Sequence, residues 1–468
     1  MKQALIAAAM LLALPMGVLA EEPSRAAQPP NVLLITIDTL RADHLSCYGY
    51  RLLTSPNLDR LAAEGVRFAS AYTTIPLTGP SHITMMTGLF PQQHGATVNG
   101  MHMGRQAQGH PPLLLAQILS RLRGYKTAAF VSAWPLKKGI TGLGRGFDTY
   151  NQKFRYHYNL LSAARTAADV GPLSRQWLRK HAGESPFFLW VHYFDPHAPY
   201  ELHPQFASLP ANPAADQQEA SDSVEGAQAE KIRAYDSEIA LTDNDIAQTL
   251  SLLQQEGVRK NTLIMVVADH GEALGEHGYY GHGNHADQPV IHVPMIVSLP
   301  GRLPEGKTIT QAVSLVDVMP TILDYAGIKL GEPIAGTSLR PLIEQGSAAQ
   351  VQPAFFVTYA EPVLHLPRWL TWMWSWAESK KRTPSRLGFI KGNMKVVLAG
   401  GKSPQVWQLR DQFKTERPIN DNPVISADAR LYGQYLSAWF QQTDTGIPAD
   451  NRLSQKDIEM LHSLGYTP

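Results

Sequence analysis

The sequence predicts an α/β sandwich, with a mainly parallel central sheet flanked by helices and a small C-terminal α+β subdomain. Two observations predict it. Four short runs, "NVLLITI" (31–37), "TAAFVSA" (127–133), "FFLWVHYF" (187–194) and "TLIMVVA" (262–268), are almost continuously apolar. Strands covered on both faces read this way, whereas half-exposed strands alternate. Helical stretches lie between them. The clearest carries Ile232, Ile239, Ile246, Leu250 and Leu253 on one stripe and stops at Gly257.

Taken in order, residues 1–20 hold one lysine and an apolar run ending at Ala20, which reads as a cleaved secretory signal and predicts a periplasmic or secreted protein. Residues 21–30 form a linker, 31–345 the main domain and 346–468 the smaller subdomain. Between Pro204 and Ala229 the composition turns to Ala, Gln, Asp, Glu, Ser and Pro, as in a solvated insertion. "LGFIKG" (387–392) and "MKVVLA" (394–399) predict antiparallel strands. A formal net charge of +1 over 468 residues argues against nucleic acid as a partner. Cys47 is the only cysteine, so no internal disulfide forms.

The predicted strands end in polar residues: Asp38 after the first, Asp195 and His197 after the third, Asp269 and His270 after the fourth. Sites in open parallel sheets form at those ends, and converging Asp and His side chains suit a divalent cation such as Zn²⁺ or Mn²⁺. "TTIPLTGPSHITMMTG" (73–88) puts Thr78 where a strand turns into a helix, with Pro80 suited to the first turn. A cation would activate the Thr78 hydroxyl, and the helix N-terminus would favour an anion; a plain helix cap is the alternative. "ADHGEALGEHGYYGHGNH" (268–285) gathers His270, His277, His282 and His285 in a glycine-rich loop, where one or two of the last three are expected at the surface. Asn99 and His102 follow the predicted helix and are candidates to line the pocket or to serve only as loop residues.

These motifs resemble the sulfatase branch of the alkaline phosphatase superfamily across residues 31–345. The resemblance rests on "NVLLITIDTLRADHLSCYG", "TGLFPQQHG", "FFLWVHYFDPHAPY", "ADHGEALGEHG" and "SLVDVMPTILDYAGIKLGEPIAGTSLRPLI". It implies an alkaline-phosphatase-like fold, a sulfatase-like catalytic domain and a C-terminal domain with a four-stranded sheet. The departures are specific. Sulfatases carry C-x-P-S-R, or Ser first, and oxidise the first residue to formylglycine. Here the motif is Thr78-Gly79-Pro80-Ser81-His82. The usual aspartate pair is Asp38-Thr39, Ser132 and Trp134 stand where a lysine and a histidine are usual, and His282 replaces a lysine.

The substituted positions resemble phosphoethanolamine transferases and phosphodiesterases, which use a metal-bound threonine. That resemblance implies Asp38, Thr78, Asp269 and His270 as metal ligands, one or two ions of Zn, Mn or Ca, and Thr78 as nucleophile. It also implies His197 and His282, with Asp195, as groups that bind the substrate's anionic oxygens or a second cation, one of the two histidines assisting the leaving group. His82, in the place of the sulfatase arginine, and Asn99, after the helix, are further substrate-binding candidates. The expected activity is cleavage of a phosphodiester or phosphoester, or transfer of its phosphoryl group. Sulfuric ester hydrolysis is the alternative, and non-catalytic anion or glycan binding is a second. The expected partner is an anionic ester of a glycan, a lipid headgroup or a small molecule. Trp369, Trp372, Trp374 and Trp376, ahead of a basic cluster, fit either peripheral membrane contact or a loop packed over the site mouth.

Overall fold

Among the described residues, sixteen strands form the framework in the computed structural model. It describes residues 29–104, 111–154, 165–184, 186–215, 226–330, 334–346, 352–359, 383–400, 402–419 and 423–444. Residues 1–20, expected to be an export signal, and the four tryptophans between 369 and 376 lie outside the described residues.

The strands of the main sheet are β1 (Asn31–Ile37), β2 (Val66–Tyr72), β3 (Lys126–Phe130), β4 (Thr149–Asn151), β5 (Phe187–Tyr193) and β6 (Thr262–Ala268). After a two-stranded hairpin, β7 (Ala273–Leu274) and β8 (Tyr280–Gly281), come β9 (His292–Ser298), β10 (Lys307–Ile309) and β11 (Val313–Ser314). The sheet order is β10-β2-β9-β6-β1-β5-β3-β4, with β11 also on β2. Every pairing is parallel except those of β9 with β2 and β6. The three central strands, β6, β1 and β5, are buried along their whole length, as their unbroken apolar runs require. Each fully buried Val, Leu, Ile or Phe contributes about 1.5–3 kcal/mol.

Strand β9 has no clear signature because Pro294 interrupts it. The partner strand's register shifts between Phe68 and Ala71, opposite this proline, so a bulge absorbs the missing donor. Three helices matter below: α1 (Thr78–Thr87), α2 (Ala167–His181) and α3 (Ala227–Gln255). All ten residues of α1 are buried. The stripe on α3 ends as expected, with Gly257 in the left-handed region just beyond it.

The segment after Pro204 is less detached than its composition suggests. Leu52 and Ala211 form a β-bridge, Asn212 donates to the carbonyls of Ser46 and Tyr50, and α3 begins already at Ala227. The C-terminal sheet has five strands, not four, among the described residues. They are β12 (Ala354–Tyr359), β13 (Pro384–Lys391), β14 (Met394–Ala399), β15 (Gln405–Arg410) and β16 (Thr415–Pro418), all antiparallel in chain order. Leu409 and Trp407 pair with the added edge strand β16. Val357 N–H donates to Thr74 O and ties this sheet to the chain just ahead of α1. Among the described residues, no helix is long and apolar enough to cross a membrane.

Candidate active site

The carboxyl ends of β6, β1 and β5, adjacent in the sheet, bring the predicted residues together. Asp38 follows β1, Asp269 and His270 follow β6, and His192 lies within β5 in register with Thr36. His270 Nε2 is 3.5 Å from Asp269 Oδ2, 3.7 Å from Asp38 Oδ1 and 3.5 Å from Thr78 Oγ1. All four side chains are completely buried. Gly271 is obligatory behind them, since a Cβ there would stand 1.9 Å from Pro289 O.

No hydrogen bond of normal geometry reaches either oxygen of Asp38 or Asp269 Oδ2, although the Thr78 hydroxyl and the Thr39 N–H face the Asp38 carboxyl and partly offset its burial. Burial raises the Asp38 carboxyl well above its ordinary range, and burial plus the Asp38 charge does the same to Asp269. Burial holds His270 near 3, so it presents a neutral imidazole. Unpartnered carboxylate oxygens converging with an imidazole nitrogen are a donor set that fits a divalent cation; the ligand atoms of Asp38, Asp269 and His270 lie within 4.8 Å of one another. Glu272, which the sequence reading left unassigned, is also buried, with Oε1 unpartnered; burial and then the Asp38 charge push it to about 8.

His82 sits behind Thr78 rather than in front of it. Its Nδ1 donates to Thr78 O at 2.7 Å and its Nε2 faces Thr36 Oγ1 at 3.1 Å. Ser81 Oγ donates to Asp269 O at 2.8 Å, which pins α1 to the end of β6. The helix end offers an anion less than expected. Pro80 has no N–H, and the Gly79 N–H donates to Asn99 Oδ1 at 2.7 Å. Asn99 Nδ2 remains buried without a partner, so any contribution of Asn99 to an anion comes from that amide.

His197 and His282 face each other, Nε2 to Nε2 at 3.4 Å, and His282 packs on His270 with ring centroids 4.1 Å apart. Burial, then the neighbouring His282, lowers His197 to about 3; burial, then His270, lowers His282. His277 is exposed and His285 stacks on Tyr279 at 3.6 Å, as expected for loop histidines. His102 bonds to Met103 O and packs against Gly142, outside this group.

Asp195 is placed differently from the others. Its Oδ1 accepts from Ala167 N–H at 2.8 Å at the start of α2, while its Oδ2 has no partner. Burial lifts it from 3.8 to about 7. Between those two values the folded protein holds a proton that the unfolded chain gives up. Stability therefore falls as pH rises, by at most about 1.4 kcal/mol per unit. Asp195→Asn keeps the acceptor for Ala167. Its melting temperature should match wild type at pH 4 and exceed it increasingly towards pH 8.

Thr39 has a left-handed backbone, φ 53°, rarely adopted by a β-branched residue. Three hydrogen bonds hold it there: its N–H to Asp269 Oδ1, its hydroxyl to Pro196 O and its carbonyl from the Tyr235 hydroxyl. Thus the residue in the place of a second aspartate spends its hydroxyl on the backbone.

Comparison with known proteins agrees with this architecture. The sulfatase family profile matches residues 30–328. The chain is 24% identical to an N-acetylglucosamine-6-O-sulfatase of Bacteroides thetaiotaomicron, over 76% of this chain and 78% of the relative. It is 28% identical to an N-acetylgalactosamine-6-sulfatase of Rattus norvegicus, over 76% and 74% respectively. A phosphonate monoester hydrolase structure from Agrobacterium radiobacter superposes with a TM-score of 0.66 at 20% identity, covering 88% of this chain and 96% of that one.

Proposed function

The chain belongs to the sulfatase family of ester hydrolases, and from that premise we propose that it cleaves a phosphodiester or phosphoester with the Thr78 hydroxyl as nucleophile. One observation carries the reading. A threonine, which cannot become formylglycine, stands at the nucleophile corner with its Oγ1 3.5 Å from His270 Nε2, beside unpartnered buried carboxylates. A formylglycine sulfatase expels sulfate by collapse of a hemiacetal, a route that an ordinary threonine lacks.

In this reading Asp38, Asp269, His270 and Thr78 hold one divalent cation. When bound, it supplies positive charge that favours the Thr78 alkoxide and neutralises the substrate anion. The chain's own residues do the rest. Thr78 Oγ attacks phosphorus, the bond to the leaving-group oxygen breaks, and phospho-threonine forms. His82, through Thr78 O, and Ser81, through Asp269 O, keep the nucleophile aimed. The Nδ1–H groups of His197 and His282 donate to Ala198 O and Pro76 O, so both Nε2 atoms point into the space between the rings. Neutral at rest, the pair would take the proton that Thr78 Oγ gives up and pass it to the leaving oxygen. The pair then takes a proton from the water that releases phosphate.

His197→Gln and His282→Gln should therefore slow alkyl esters by about 10²–10⁴-fold, and p-nitrophenyl esters far less, since a good leaving group needs no acid. Equal loss on both would argue against this role. The substrate class is an anionic ester of a glycan, a lipid headgroup or a small molecule. Residues 1–20 are read as an export signal, testable by the mass of the mature N-terminus.

Sulfuric ester hydrolysis is a second reading, favoured by the names of both sulfatase relatives. Purified protein is assayed on bis-p-nitrophenyl phosphate and p-nitrophenyl sulfate, with and without chelator. Metal-dependent cleavage of the diester supports the proposal, and preferential cleavage of the sulfate sinks it.

A further inference from the structure

Arg41 and Glu276 stand just beyond the site on the two loops that supply it, and the roles given above use neither. Arg41 is buried, 4% exposed. Within its own loop its guanidinium donates to both carboxylate oxygens of Asp43, from Nε at 2.9 Å and from Nη2 at 2.7 Å. From Nη1 it crosses to the loop after β6, donating to Glu272 O at 3.2 Å and to Glu276 Oε1. Glu276 Oε2 in turn accepts from Leu274 N–H at 2.8 Å. One buried cation therefore joins the segment that follows Asp38 to the segment that follows His270.

The backbone of Arg41 closes this link into a circuit. Its N–H donates to the Tyr235 hydroxyl at 2.9 Å, and that hydroxyl donates to Thr39 O at 2.8 Å. Thr39 N–H donates to Asp269 Oδ1 at 3.3 Å, and from Asp269 the chain returns through Gly271 to Glu272 and the guanidinium. A Cβ on Gly271 would stand 3.4 Å from Arg41 Cγ, so the arginine stem lies against the chain between His270 and Glu272. The left-handed turn at Thr39 is the kind of conformation that persists only where its surroundings fix it, and this circuit does so. The same guanidinium grips the hairpin at both ends of β7, at Glu272 and at Glu276. Strand β8 then pairs Gly281 with Ala273 and delivers His282 beside the held Glu272. Only a planar fork can meet a carboxylate face-on and still reach a carbonyl and a second carboxylate; a lysine offers a single point.

Resting on the reading of the site given above, we propose that Arg41 is a positioning residue that locks the loop bearing Asp38 to the loop bearing Asp269 and His270, and through Glu276 sets the hairpin that delivers His282. The ligand atoms of Asp38, Asp269 and His270 come from two strands, and the circuit holds those strand ends in the register that brings them within 4.8 Å of one another. Arg41 touches neither substrate nor cation in this role.

The test separates position from fold by reading Zn²⁺ affinity. Wild type, Arg41→Lys, Tyr235→Phe, Glu276→Gln, Asp269→Asn and Arg259→Lys are stripped with chelator, shown to be folded by circular dichroism, and titrated with Zn²⁺ against a chromophoric chelator. Arg41→Lys keeps the charge and loses the fork; Tyr235→Phe keeps the ring and breaks the circuit. Both should bind Zn²⁺ roughly tenfold or more weakly than wild type. Arg259 is the control, a buried arginine paired with Glu64 and Ser298 ahead of β6, at the far end of the sheet. Its variant should melt lower and bind Zn²⁺ as wild type does. Glu276→Gln satisfies only one of the two donors on Glu276. It should keep the affinity and slow alkyl esters by roughly tenfold, with p-nitrophenyl esters changed by no more than about twofold. Should Arg41→Lys fail to fold, Tyr235→Phe decides. Unchanged affinity in both, with Asp269→Asn defective, overturns the role of Arg41 and leaves the metal reading standing. An equal loss in Arg259→Lys overturns it too, since instability alone would then account for the effect. Glu276→Gln slowing both esters equally overturns the link to His282. Zn²⁺ binding that is absent from wild type, or unchanged in Asp269→Asn, removes the metal reading and this proposal with it.

Discussion

Thr78→Ala lowers kcat on a phosphodiester by about 10⁴-fold or more, while Thr78→Ser keeps activity within roughly tenfold. That is the largest effect expected of any substitution in the protein, and the contrast between the two variants gives it meaning. Serine keeps the oxygen and loses only a methyl group. Alanine keeps the helix, because α1 is held by contacts that do not involve the Thr78 hydroxyl: Ser81 to Asp269 O, Asn99 to Gly79 N–H, and His82 to the Thr78 carbonyl. A folded, inactive Thr78→Ala isolates the chemistry from the scaffold. Acid quench during turnover followed by intact mass should show one added phosphoryl group, still bearing the retained ester group of a diester substrate, on wild type and none on the variant. Activity in Thr78→Ala within tenfold of wild type would end the case for a covalent threonine.

The second effect runs in two directions. Asp38→Asn should lower activity by more than about 10³-fold and yet melt about 2–6 °C higher than wild type when both are metal-free. Both Asp38 oxygens are buried with no hydrogen bond of normal geometry; burial raises the Asp38 carboxyl above its ordinary range, and burial together with the Asp38 charge does the same to Asp269. Removing one charge relieves that penalty in the metal-free protein. Saturating Zn²⁺ should then reverse the order, because binding at 100 times the dissociation constant stabilises wild type by about 2.7 kcal/mol and the variant by much less. Scanning calorimetry with and without Zn²⁺ reads both differences. A metal-free variant that melts lower than wild type would show that the two carboxylates are not in conflict.

Asp38, Asp269 and His270 were legible in the sequence because each stands at the end of a strand with a strong signal, and Thr78 because the Gly-Pro turn behind it marks the start of α1. An apolar run ends and a hard ligand stands next. His192 was not, because a histidine inside "FFLWVHYF" reads as a packed strand residue. Its signal was parity and register: it pairs with Thr36, two residues before Asp38, and so shares that face of the sheet. Register between distant strands is set by the folded sheet and is not written in either strand alone. Asp195 shows the opposite case, where a ligand type at a strand end caps the neighbouring helix α2. Strand β9 was hidden by Pro294, whose cost is absorbed by a bulge in the partner strand. Local pattern thus carried the parallel core and most of the site, and pairing decided the rest.

The burial of α1 has a consequence for timing. Thr78 has no exposed surface, and neither does Ser81 or His82. If Thr78 is phosphorylated as proposed, the group on that oxygen would be sheltered from bulk solvent, and the covalent species would persist until a small hydroxylic molecule reaches it. The lifetime of the parked group, more than the speed of its formation, then selects between water and an alcohol as its destination. Adding glycerol or ethanolamine during turnover should divert part of the group from water to the added alcohol. The same enclosure that keeps the threonine dry would make the protein a slow clock, wound by one substrate and released by the next molecule through the door.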